Sequence, residues 1–326
     1  MPSPKKILVA VKDPFDRKLP ALRKALALAR AAGGQVQLFH SLSAPIYLDA
    51  LTARGDSLRT LESRELKRSR AALEKLASRP GSSGVRISVA AEWDYPPAEA
   101  IVRQARKWGA SLIIADRHAG ARHARWLLSF NDWELLRLAP CPVLIAKTEG
   151  GYDGKVVVAA VDPTHAHAKP AALDTAILNT ASDYAEMLRA KLHAVTACPA
   201  PPVYPSFGYM EAYALPDSSP EERLRSTRAE LDKLIGKRPI ARDRRHVISA
   251  EPSAAIVTIA RKQRAGLVVM GAVSRSAIKR LFIGNTAERT LDALPCDALV
   301  VKPRSFRSPV ARGSRGLRIM ATPAVT

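Results

Sequence analysis

Apolar residues in this chain fall into short continuous runs, separated by longer amphipathic stretches. Runs such as Leu112-Ile113-Ile114-Ala115 lack the in–out alternation of a half-exposed strand. They suit strands buried on both faces of a parallel sheet. The pattern predicts strands at 7–11, 35–41, 85–91, 111–115 and 142–146, and again at 156–161, 191–197, 244–250, 266–270 and 297–301. Helical periodicity between them predicts helices at 20–32, about 56–78, 96–108 and 131–138, then at about 170–190, 220–236, 252–264 and 286–293. Pro20 at the start and Gly33-Gly34 at the end delimit the first helix. Strands alternating with helices give an α/β class: two tandem doubly wound parallel-sheet domains of Rossmann-like type.

The two sets of elements are copies. Lys6-Ile7-Leu8-Val9-Ala10-Val11-Lys12-Asp13-Pro14 matches Lys155-Val156-Val157-Val158-Ala159-Ala160-Val161-Asp162-Pro163. Ala100-Ile101-Val102 with Ala105-Arg106-Lys107 matches Ala255-Ile256-Val257 with Ala260-Arg261-Lys262. Leu138-Ala139-Pro140-Cys141 through Lys147 matches Ala293-Leu294-Pro295-Cys296 through Lys302. Three anchors in one order define a duplication. The expected domains are 1–148 and 149–303, with the glycine-rich segment Thr148–Gly154 as their boundary. Residues 304–326 carry five arginines, no acid and several Pro, Ser and Gly, and read as a basic disordered tail.

A chain of 326 residues accommodates two such domains. No apolar run approaches the ~20 residues that span a bilayer, and the N-terminus lacks the long apolar core of a secretory signal. The expected location is the cytoplasm. Cys141, Cys198 and Cys296 form no pair or CxxC, so they read as small buried residues rather than as disulfide or zinc ligands. The formal net charge of +21 favours anionic partners. One reading is a polyanion or nucleic acid held through the basic surface and tail. The other is solubility alone, since no aromatic residues interleave with the charge to read bases.

In doubly wound sheets, ligands bind beyond the carboxyl ends of the strands, where the winding reverses. Asp13 lies there in the first half, and Asp162 and Gly271 in the second. Gly271 ends a strand. Gly284 precedes a helix whose first N–H groups have no intrahelical partner. Asn285 and Glu288 are spaced as a capping box, and Arg275, Lys279 and Arg280 add positive charge. From spacing alone two readings stand side by side: turn glycines, or a phosphate cradle.

Residues 5–303 resemble the universal stress protein family in its tandem form, the E type in particular. Nucleotide-binding members carry G-x2-G-x9-G-[ST] after the fourth strand and an Asp after the first. The matching positions here are Gly271, Ser274, Gly284 and Asn285, with Asp162 as the acid. The motif therefore departs at Ser274, which restricts the backbone, and at Asn285, which replaces a hydroxyl. The resemblance implies a stress-response role through binding rather than turnover. It implies ATP or a related adenine nucleotide as cofactor, with Asp162 at the base or ribose and Gly284 to Thr286 at the phosphates. In the first half the matching positions are Asp116, Ala119, Ser129 and Phe130. A carboxylate beside a phosphate and a phenyl ring in its space lead to the expectation that this half does not bind ATP. The resemblance also implies intramolecular pairing of the domains and leaves a homodimer open.

Other constellations are weaker. His165 and His167 lack further ligands for zinc. His118 and His123 share a loop with Arg117, Arg122 and Arg125, read as a solvated basic loop or, second, as an anion site. Tyr204, Phe207, Tyr209 and Tyr213 in a Pro-rich segment read as an interface, with an apolar or lipid-like ligand as the alternative. No nucleophile–base motif, P-loop or G-x-G-x-x-G is present, so no catalytic residue is assigned.

Overall fold

A computed structural model describes residues 3–16, 18–47, 57–79, 81–117, 130–152, 154–164, 171–200, 219–271 and 285–320. In chain order the first half contains β1 (Lys6–Ala10), α1 (Pro20–Ala32), β2 (Gln35–Leu42), β3 (Ile46–Tyr47), α2 (Leu58–Ala77), β4 (Arg86–Trp93), α3 (Pro97–Trp108), β5 (Leu112–Asp116), α4 (Phe130–Leu138) and β6 (Val143–Ala146). The second half contains β7 (Val156–Ala160), α5 (Ala171–Met187), β8 (Lys191–Ala197), α6 (Pro220–Ile235), β9 (Arg245–Ile248), α7 (Pro252–Lys262), β10 (Ala265–Gly271), α8 (Asn285–Ala293) and β11 (Asp297–Val301). A short β12 (Ile319–Met320) follows.

Local chemistry accounts for the helix limits. Pro20 opens α1, and Gly33 closes it in the left-handed conformation (φ 60°, ψ 40°), which a residue without Cβ adopts freely. Ser219 and Glu222 form a complete capping box at α6.

The strands build one ten-stranded sheet in the order β4-β2-β1-β5-β6-β11-β10-β7-β8-β9. All neighbours within a half are parallel, and β6 and β11 meet antiparallel, with Leu144 opposite Leu299. Each half therefore keeps its own winding, which reverses between β1 and β5 and between β7 and β10. The antiparallel junction directs the two carboxyl edges to opposite ends of the sheet. Alternate strand residues feed two core layers. Ile7, Val9, Val157 and Val269 pack with α1, α2, α5 and α6, while Leu8, Ile113, Val158 and Val268 pack with α3, α4, α7 and α8. Both layers run through both halves, so the duplicated units share their core rather than each enclosing one.

A polar network pins this junction. Lys24 on α1 and Asp297 at the start of β11 are buried and lie 2.7 Å apart. Asp297 also accepts from the Lys147 and Thr148 backbone N–H groups (2.9 and 3.0 Å), the Thr148 hydroxyl (3.0 Å) and the Tyr152 hydroxyl (2.8 Å). Lys24 Nζ lies 4.1 Å from the Tyr152 ring centroid. The boundary segment is thus fixed at both Thr148 and Tyr152. Burial, then the Asp297 charge, holds the Tyr152 phenol well above its ordinary pKa.

Two lysines cross between the halves in matching ways. Lys147, just after β6, donates to the carbonyls of Leu291, Asp292 and Leu294 at the end of α8 (2.7, 3.3 and 2.5 Å). Lys302, just after β11, donates to the carbonyls of Arg137 and Ala139 at the end of α4 (2.7 and 2.8 Å). Each places a cation on orphan carbonyls at the negative end of a helix.

The expectation of disorder beyond residue 303 is corrected through Met320. Arg106 donates to the carbonyls of Ser308 (2.6 Å) and Val310, and Val310 is buried. The Arg315 backbone N–H reaches Asp94 (2.9 Å), and its guanidinium reaches Glu99. Finally β12 adds in parallel to β3. The arginines that made the tail look like a solvated polyanion binder include Arg315, which is spent on acids of the first half. Residues 321–326 lie outside the described residues.

Removing one member of a buried pair strands the other's charge. We predict that Asp297→Ala lowers unfolding free energy by about 3–5 kcal/mol in guanidinium titrations. Arg23→Ala, which breaks the exposed 3.7 Å pair with Glu149, is expected to change it by less than about 1 kcal/mol.

Candidate functional site

In the second half, the carboxyl edge at the winding reversal is formed by the ends of β7 and β10 and the start of α8. The chain leaves β7 through Val161, whose N–H continues the ladder to Val195 (3.0 Å). Asp162 follows. Its backbone N–H donates to Asp174 Oδ1 on α5 (3.0 Å), and its own Oδ1 accepts from the Thr164 hydroxyl (3.1 Å). Its Oδ2 is buried and has no hydrogen-bond partner among the described residues. A buried carboxylate oxygen left unpaired is costly. A donor from a ligand's ribose or amine would satisfy it.

Gly271 ends β10 beside Val301. A Cβ there would lie 2.7 Å from Leu173 Cδ2 and 3.1 Å from Ile177 Cδ1. The missing side chain is therefore needed for close packing of α5 on the sheet, and the room anticipated on that side is filled by leucine and isoleucine. Only its backbone remains available to a ligand. Asn285 begins α8 and Thr286 is half-buried in its first turn. The α8 N–H groups of that turn lie at the same edge as Gly271, because the helix runs back antiparallel to its flanking strands. Glu288 ion-pairs with Arg137 of the first half (3.3 Å), so its carboxylate serves the junction between halves. Ser274 and Gly284 lie outside the described residues, as do Arg275, Lys279 and Arg280. So the pairing of β7 with β10 sets the strand ends that carry Asp162 and Gly271 at one edge, and α8 begins at that edge.

The corresponding edge of the first half is occupied by its own side chains. Asp116, standing where Gly271 stands in the second half, accepts from the Ala21 N–H in the first turn of α1 (2.6 Å). Burial is the largest influence on it and lifts its carboxyl to about 6; the Ala21 bond and Lys12 oppose the rise, and Asp16 and Asp132 add to it. Lys12 is ion-paired to the buried Asp132 on α4 (2.7 Å). Asp13 Oδ1 accepts from the Phe15 N–H (2.8 Å), a local turn bond as its place before Pro14 suggested. Ala119, Ser129 and the Phe130 side chain lie outside the described residues, as do His118, His123, His165, His167 and the aromatics from Tyr204 to Tyr213.

The sequence reading missed Asp174, Leu173 and the Lys12–Asp132 pair. Asp174 carried a signal: it is an acid in the first turn of an otherwise apolar stretch, Ala171-Ala172-Leu173, and it is fully buried. Among the described residues no group of three or more metal-ligating side chains occurs, and no helix is long and apolar enough to cross a membrane.

Comparison with known proteins agrees with this architecture. The Universal stress protein family matches residues 4–147 and again 154–302. Universal stress protein E of Escherichia coli K12 is 28% identical over 308 residues, covering 93% of this chain and 96% of its own. A functionally unknown protein of Pseudomonas aeruginosa PAO1 has TM-score 0.68 at 25% identity, over 92% of this chain and 93% of that one. A universal stress protein from Archaeoglobus fulgidus DSM 4304 has TM-score 0.61 at 15% identity, over 95% of this chain and 99% of that one, a likeness of fold alone. Two matched domains in one chain, joined in a single sheet, place it in the universal stress protein family as a tandem member similar to universal stress protein E.

Proposed function

We propose that this protein acts in the stress response by binding an adenine nucleotide in its second half, with the first half as a closed structural partner. The observation that carries the reading is the buried, unpartnered Oδ2 of Asp162 at the winding reversal. Asp162 would accept from the base or ribose. The β10 end at Gly271, with Ser274, would give backbone approach. Gly284, Asn285 and Thr286 would meet the phosphates at the start of α8. Binding, not turnover, is the proposed activity, and the cytoplasm is its proposed setting.

The first half supports the assignment by contrast. Asp116 places a carboxylate on the α1 N–H groups where the second half has glycine. That oxygen satisfies a helix terminus from within the protein and takes the α1 N–H of Ala21 that a phosphate would otherwise meet. The pairing of the halves through β6 and β11 gives the closed partner its role: it buries the edge strand of the binding half.

Calorimetry with ATP tests the reading. The intact protein is expected to bind one nucleotide per chain. Asp162→Ala should weaken it about tenfold, the loss of one charged hydrogen bond, and Gly284→Trp should abolish it. An absence of heat from the intact protein, or equal binding by Gly284→Trp, would remove the proposal.

Asp116 generates a second expectation. Its carboxyl titrates near 6 in the folded protein against 3.8 ordinarily. A raised acid makes the folded state hold more protons than the unfolded one in that window, so its contribution to stability declines as pH rises from about 4 to 6. Asp116→Asn should therefore gain on the wild type by roughly 1–3 kcal/mol between pH 4 and pH 7.5, read from denaturation midpoints. A difference that is flat with pH would show that burial does not govern this carboxyl.

A further inference from the structure

A separate concavity lies where the carboxyl edge of the first half meets the second half. It encloses about 630 Å³ and is lined by Arg117 after β5, Lys147 after β6, Arg261 on α7, and Arg289, Asp292 and Pro295 at the end of α8. The Lys147 ammonium is committed to the α8 carbonyls. It thereby covers the negative helix end that would otherwise repel an anion. The guanidiniums of Arg117, Arg261 and Arg289 have no hydrogen-bond or ion-pair partner among the described residues. Burial lowers the Arg117 pKa from its ordinary value, and the Asp292 charge opposes that fall. Lys147 is pushed down to about 8, first by burial and then by Arg117. The positive charges here are only partly compensated.

The internal duplication shows what such a place can hold. Arg261 corresponds to Arg106, and Lys147 to Lys302. On the other side, Arg106 donates to the carbonyls of Ser308 and Val310, and Phe306 lies against Lys302 (3.9 Å to the ring centroid). The C-terminal segment thus fills the place that corresponds to the cavity. After Lys147 the chain is instead drawn away by Asp297 and Tyr152 into β7, so among the described residues no such segment reaches Arg261. The two sides also differ in charge: Glu134 and Arg137 stand where Arg289 and Asp292 stand by the alignment of the repeats.

We propose that this cavity binds a compact small molecule carrying two or three linked phosphates, clamped by Arg117, Arg261 and Arg289. Four basic residues and one acidic residue leave three formal positive charges in the lining, which a di- or triphosphate balances. Guanidinium forks bind phosphate oxygens in pairs. The volume falls within the ~300–1,000 Å³ of ordinary small-molecule sites. The site is distinct from the Asp162 mouth: it stands at the carboxyl edge of the first half, and that mouth stands at the opposite end of the sheet.

The test is calorimetry of inorganic tripolyphosphate with the full chain at low salt, about 50 mM. The wild type should bind one equivalent. Arg289→Ala, at an exposed helical position that tolerates alanine, should weaken binding about tenfold, and Arg117→Ala/Arg289→Ala about a hundredfold. Tripolyphosphate should raise the melting temperature of the wild type and not that of the double variant. Gly284→Trp, and Arg225→Ala/Arg228→Ala on the exposed face of α6, should bind like the wild type. No binding by the wild type, undiminished binding by Arg289→Ala, an equal loss in the α6 variant, or a loss in Gly284→Trp would each overturn the proposal. ATP binding that survives Gly284→Trp but disappears in Arg117→Ala/Arg289→Ala would support this cavity and remove the Asp162 mouth.

Discussion

The structure depends on a lysine and an aspartate that are buried against each other where the two halves meet. Lys24 and Asp297 are each almost wholly excluded from water. An isolated pair of that kind is weak support, because desolvating two ions offsets much of their attraction. Here the Asp297 carboxylate receives five donors, and the Lys24 ammonium has an anion, a hydroxyl and an aromatic face. The donors come from α1, from Lys147 just after β6 and from the boundary segment, and they converge on the start of β11. Their convergence fixes where the chain leaves the first half, and hence the register in which the second half can dock.

That docking answers a problem each half would face alone. β6 and β11 would each be a sheet edge, short, apolar and buried throughout. Such an edge is a template for unwanted pairing. Pairing them with one another removes both edges, and the antiparallel sense makes the crossing lysines possible. Each of those lysines leaves its strand and reaches the helix end of the other half. Burial lowers both, Lys147 to about 8 and Lys302 to about 7, yet each ammonium is met by two or more helix-end carbonyls. The halves therefore satisfy each other's orphan groups as well as covering each other's apolar surface.

Much of this was legible in the chain. Periodicity placed helix 20–32 and strands 191–197 and 297–301 at the limits the structure has, because fully buried parallel strands and proline–glycine punctuation are strong local signals. The repeat anchors gave the duplication, and the resemblance to universal stress proteins rested on Gly271, Ser274, Gly284 and Asn285 with Asp162 after the first strand. Tertiary chemistry was less legible. Lys24 interrupts the apolar stripe Ala21, Ala25, Leu28, but nothing local says that its partner lies on the last strand of the other half. The tail looked disordered because its composition is that of a solvated segment, and the acids that hold it, Asp94 and Glu99, lie far away in sequence. Gly271 was recognised as a special position, yet the contact requiring it is with Leu173 and Ile177 on a helix, which spacing cannot reveal.

Gly271 and Asp116, which occupy corresponding places at the ends of β10 and β5, show how the two halves differ within one fold. At the end of the fourth strand a side chain must either be absent or find a use. In the second half absence lets α5 settle against the sheet, and the unpaired oxygen of Asp162 is left nearby. In the first half Asp116 is long enough to reach the α1 N-terminus, where a carboxylate is stabilised by free N–H groups and the helix dipole. Burial opposes that stabilisation and raises its pKa, so the arrangement is a compromise rather than an optimum. One fold thus accommodates opposite solutions at the same strand end: a missing side chain that lets a helix pack closely in one copy, and a carboxylate that caps a helix in the other.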